Sequence, residues 1–114
     1  MTASDPRSVL DIPVAPTDPG PFEVALRAGR DAGRKLIVPY ITGGLGQDWT
    51  DVVRAVADAG ADGVEIGIPF SDPVMDGPVI QEASDRALAA GATPQSVLDQ
   101  LRGHDAGVPL AVMT

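Results

Sequence analysis

The sequence predicts an α/β fold built on a parallel sheet, and three observations carry that expectation. Apolar, β-branched runs at 36–41, 63–68 and 108–113 alternate with stretches of helical period. Most of the helical stretches open on a proline or a capping residue and close near a glycine. The middle run, Gly63-Val-Glu-Ile-Gly-Ile68, carries a glutamate among its β-branched residues, where a charge is costly unless it has work to do.

Residues 1–20 are rich in Pro, Asp, Ser and Thr and show no sustained period, so they read as a disordered tail ahead of a folded unit at 21–114. Pro21 suits the first position of a helix, Phe22 and Leu26 share a face, and Gly33 can end it. Arg27, Arg30, Arg34 and Lys35 lie in this stretch, and a solvated helix face explains them better than a phosphate site. A strand follows at 36–41, with Pro39 as a misfit that removes a ladder donor. After a loop at 43–46, Asp48 can cap a helix over 49–59 whose buried stripe is Trp49, Val52, Val53 and Val56, ended by Gly60. The strand at 63–68 leads into a loop, 69–77. Pro78 opens a helix that runs to about Ala90, with Gly91 as its stop, and Thr93-Pro94 opens a shorter one with Val97, Leu98 and Leu101. The third strand, 108–113, stands next to Thr114 with nothing after it to cover it.

Composition narrows the function. The chain has 114 residues and a net charge of −8, which disfavours nucleic acid and anionic membrane as partners. It has no cysteine, hence no disulfide, thiol nucleophile or thiolate metal site. No leader or long apolar span is visible, and a cytoplasmic protein is the expectation.

Side-chain alternation turns the α/β expectation into a barrel. Val64, Ile66 and Ile68 point one way, and Glu65 and Gly67 the other. In an open sheet covered on both faces, Glu65 would meet an apolar layer. In a (β/α)₈ barrel it points into the interior, near the strand end where such enzymes place their chemistry. Asp76 lies eleven residues on, in the loop before the next helix, and the two acids together suggest acid/base catalysis.

The run Glu65-Ile-Gly-Ile-Pro-Phe-Ser-Asp-Pro73, followed by Asp76-Gly-Pro-Val-Ile-Gln81, resembles the signature of the tryptophan synthase alpha subunit. Tyr40-Ile-Thr-Gly43, Ala59-Gly-Ala-Asp62 and Ala89-Ala-Gly-Ala-Thr-Pro94 extend the resemblance over 35–114. It implies a TIM barrel of which about the first three βα units are present, an N-terminal fragment expected to be inactive alone. The family cleaves indole-3-glycerol phosphate to indole and glyceraldehyde 3-phosphate in tryptophan biosynthesis. By resemblance, Glu65 is the general acid/base and Asp76 the partner of the indole N–H. Tyr40, Thr42, Ile80 and Met113 fall at substrate-binding positions. Pro69, Asp72 and Pro73 belong to the surface that meets the beta subunit, the partner that carries pyridoxal phosphate in an α₂β₂ tetramer. No cofactor or metal is expected in this chain.

Two departures stand out. Gly43-Gly-Leu-Gly46 replaces the family's more usual Gly-Asp-Pro, and nothing corresponds to the later strands or the phosphate-holding loops. Plainer readings stand beside the catalytic ones. Glu65 could be a structural ion-pair partner, Asp72 and Asp76 could share a cation, and Asp76 could cap the helix at Pro78. His104 reads as a surface residue and Trp49 as core. A half barrel that only docks on a beta subunit, or a different phosphate-binding barrel enzyme, would share much of this pattern.

Overall fold

A computed structural model describes residues 18–72 and 74–114. The expected tail lies outside these residues except for its last three. The elements run α1 (Pro21–Asp31), β1 (Tyr40–Thr42), α2 (Trp49–Asp58), β2 (Val64–Gly67), α3 (Pro78–Ala89), α4 (Pro94–Arg102) and β3 (Leu110–Met113). The three strands are parallel, in the order β1-β2-β3.

The helices start where proline allows. Pro21, Pro78 and Pro94 each occupy the first turn, where the missing N–H has no intrahelical partner to lose. Thr93 and Ser96 form a reciprocal capping box at α4. At the end of α2, Gly60 takes φ +115°, a conformation that L side chains rarely adopt.

The core lies on one face of the sheet. Val64 and Ile66 are fully buried against Trp49 and Val53 of α2 and Val97 of α4. Burial of each such aliphatic side chain contributes roughly 1.5–3 kcal/mol. Val52, read from the sequence as part of this stripe, is 43% exposed. Val53, next to it, is the residue turned into the core, while Val52 lines a cavity beside β1.

The first strand is shorter than the 36–41 read from sequence. The backbone already pairs ahead of it: Asp62 N–H donates to Ile37 O and Glu65 N–H to Pro39 O, each at 2.9 Å. Pro39 has no N–H to return, so the regular ladder begins only at Tyr40. Asp48, expected as a cap, makes no side-chain capping bond to α2.

A carboxylate fixes the approach to β1. Asp62, with its side chain 8% exposed, accepts from the Ile37 N–H at 2.9 Å and pairs with Arg34. Asp62→Ala is expected to destabilise the chain by about 1–3 kcal/mol, since it strands the Ile37 donor. Arg34→Ala should lose under about 1 kcal/mol, because that partner is solvated. Urea unfolding of the two variants separates these values, and equal losses would show that the backbone bond is unimportant.

Candidate functional site

Parallel pairing aligns residues across the sheet. Tyr40, Glu65 and Ala111 stand in one row, and Thr42, Gly67 and Met113 in the next. All six side-chain positions face away from Val64 and Ile66. Glu65 is half-buried and takes part in no ion pair among the described residues, so the structural-partner reading finds no partner there.

Two glycines flank Glu65 on this face, and an aromatic ring lies over each. A Cβ on Gly63 would sit 2.8 Å from the Phe22 ring, which α1 places beneath the N-terminal end of the sheet. A Cβ on Gly67 would collide with the Tyr40 phenol. The Gly63-x-Glu65-x-Gly67 spacing therefore does steric work. It leaves room for two rings, one over each glycine on either side of Glu65 along the strand.

An apolar cavity of about 330 Å³ lies between β1, α2 and α3, lined in part by Tyr40, Thr42, Leu45, Trp49, Val79 and Ile80; Tyr40 is the row neighbour of Glu65, which is not itself part of the lining. That volume falls within the size range of small-molecule sites. Three of the four residues expected to bind substrate thus share one cavity. Met113, the fourth, lies on the same sheet face and is 48% exposed.

Asp76 sits elsewhere, on the exposed loop before α3. The sequence also allowed it as a helix cap, but Gly77 occupies the cap position and no side chain makes a capping bond. The Asp76 carboxylate is thereby free of that task, while its backbone carbonyl accepts from the Gln81 side chain at 2.7 Å. Gln81 was not singled out in the sequence. A side chain reaching back from the first turn of a helix leaves no signature beyond its spacing.

The loop is exposed at Asp72 and buried at Pro69, while Pro73 lies outside the described residues. Phe70, Val74, Met75 and Val79 are 61–93% exposed. Among the described residues, no group of three or more His, Cys, Asp or Glu is placed to hold a metal. His104, read as a surface residue, is half-buried, and its Nε2 is buried without a hydrogen-bond partner. The turn after α4, closed by the His104 N–H donating to Leu101 O at 3.1 Å, leaves the ring partly covered.

The family model described as "Tryptophan synthase alpha chain" matches residues 26–114. The chain belongs to the tryptophan synthase alpha chain family. It is 49% identical over 92 residues to the alpha chain of Halorhodospira halophila, covering 76% of this chain and 34% of that protein. Against the alpha chain of Alkalilimnicola ehrlichii it is 47% identical over 97 residues, covering 81% and 35%. The chain therefore spans about a third of the length of these curated relatives. The solved tryptophan synthase subunit alpha of Legionella pneumophila superposes with TM-score 0.76 at 35% identity, over 84% of this chain and 38% of that one. An aminoacrylate-bound tryptophan synthase from M. tuberculosis gives 0.76 at 28% identity, over 84% and 40%. The three parallel strands and their helices are thus the first part of a TIM barrel, with the Glu65 row on its inner face. Among the described residues, no helix is long and apolar enough to cross a membrane.

Proposed function

We propose that this chain supplies the acid/base group of a carbon–carbon lyase that cleaves indole-3-glycerol phosphate to indole and glyceraldehyde 3-phosphate. The observation that carries the proposal is Glu65 on the inner face of β2, in register with Tyr40, whose side chain lines an apolar cavity. Membership of the alpha chain family supports it.

The chemistry follows from the substrate. The Glu65 carboxyl donates its proton to the ring carbon that bears the glycerol chain, which leaves an iminium-like ring. That ring draws in the electron pair of the bond to the side chain. As the bond breaks, the glycerol hydroxyl becomes an aldehyde and its proton passes to the Glu65 carboxylate. Indole and glyceraldehyde 3-phosphate result, and Glu65 ends as it began. Tyr40 and Ile80 wall an apolar slot for the indole ring, and Thr42 offers a hydroxyl at its edge. Asp76 accepts from the indole N–H and stabilises positive charge on the ring.

Asp76→Asn keeps an acceptor but removes that charge. We expect turnover to fall by about 10²–10³-fold with the fold intact, the scale of losing one electrostatic stabiliser. Steady-state cleavage by the protein expressed from its own gene is the test. Full activity in Asp76→Asn would remove this residue from the mechanism.

A partner-docking role belongs beside the chemistry. Phe70, Val74, Met75 and Val79 present a run of exposed apolar side chains around the Asp76 loop. Such a surface suits a protein partner, and in this family that partner is the beta subunit, which holds the pyridoxal phosphate.

A further inference from the structure

We propose that Gln81 is a positioning residue that holds Asp76 in place on the loop before α3; this deepens the reading above and rests on Asp76 acting in the reaction. Residues 70–77, those described, are exposed throughout. Such a segment has little burial to hold it, yet the acid it carries must meet one atom of a substrate. Pro69 is buried at its near end, and Ile80 is half-buried beyond its far end.

Between those two points, one side-chain hydrogen bond ties the loop among the described residues. The Gln81 Nε2 donates to the Asp76 carbonyl at 2.7 Å. The same residue's backbone N–H donates to Gly77 O at 3.0 Å, so Gln81 grips two successive carbonyls from the first turns of α3. Another bond within the loop, Val74 N–H to Asp72 O at 2.9 Å, is local and fixes nothing to the helix. The Gln81 bond uses the Asp76 backbone only. It fixes the root of the side chain and leaves both carboxylate oxygens for substrate. Ile80, which precedes Gln81, lines the cavity, so the same turn of helix supplies a cavity wall and the tether on the Asp76 backbone.

An isosteric change isolates the contact. Gln81→Glu keeps the shape, removes the donor and sets a carboxylate against the Asp76 carbonyl. The protein expressed from its own gene, supplied with indole-3-glycerol phosphate, should lose about tenfold in kcat with KM within about twofold, because small misplacements of a reacting group act on the transition state. Amide hydrogen exchange over 70–77 should quicken about tenfold, while exchange in β2 stays as it is. Gln81→Lys, which restores a donor of similar reach, should recover most of both. Unchanged loop exchange in Gln81→Glu would overturn the tether. Faster exchange with unchanged kcat would overturn its link to Asp76. The exchange result holds whatever the enzyme does, whereas a harmless Asp76→Asn would count against the lyase reading itself.

Discussion

Glu65→Gln is expected to lower cleavage of indole-3-glycerol phosphate by roughly 10²–10⁴-fold, the usual contribution of a general acid/base group. Glutamine fills the same space as glutamate, so the variant should unfold at the same denaturant concentration as the parent. It fails because an amide cannot give a proton to carbon and then collect one from a hydroxyl. The protein expressed from its own gene should be assayed beside the variant under saturating substrate. Activity within about fivefold of the parent would remove Glu65 from the proton-transfer role.

Trp49→Ala should have the largest effect on stability. The side chain is 1% exposed, and its Nε1–H donates to Gln100 Oε1 at 2.7 Å, tying α2 to α4. Truncating a buried tryptophan costs about 3–5 kcal/mol. Small domains have only about 5–15 kcal/mol in total, so most of the cooperative transition should be lost. Trp49→Phe keeps most of the packed volume and forfeits mainly the bond to Gln100, worth about 0.5–1.5 kcal/mol. Urea titration followed by far-UV circular dichroism reads both variants. A Trp49→Ala loss below about 1 kcal/mol would mean that Val53 and Val97 close the core without it.

The alternation of strands and helices was legible because it depends on local pattern: the prolines at 21, 78 and 94 open helices as they do in the structure. The inward aim of Glu65 was legible for the same reason, since strand parity needs no knowledge of neighbours. What escaped depends on distant parts of the chain. Val52 and Val53 are the same residue type side by side, and only the sheet decides which is buried. Pro39 marked a misfit, but the surviving bonds to Ile37 and Pro39 come from Asp62 and Glu65, far along the chain. Asp48 takes the N-cap position expected of it but its side chain makes no capping bond, and Asp76 yields the cap position to Gly77, because a capping bond requires a turn geometry that residue identity alone does not specify. Phe22 lies forty-one positions before Gly63, and nothing in either stretch announces the meeting of ring and glycine.

That meeting makes the site adjustable from one side only. On the β2 side of the column there is nothing left to remove, and anything added strikes a ring. On the Tyr40 side there is a phenol to trim. A programme of directed evolution seeking room for bulkier indoles should therefore randomise Tyr40 and hold Gly63 and Gly67 constant. Libraries built on the glycines would be spent mostly on chains that no longer close around their own glutamate.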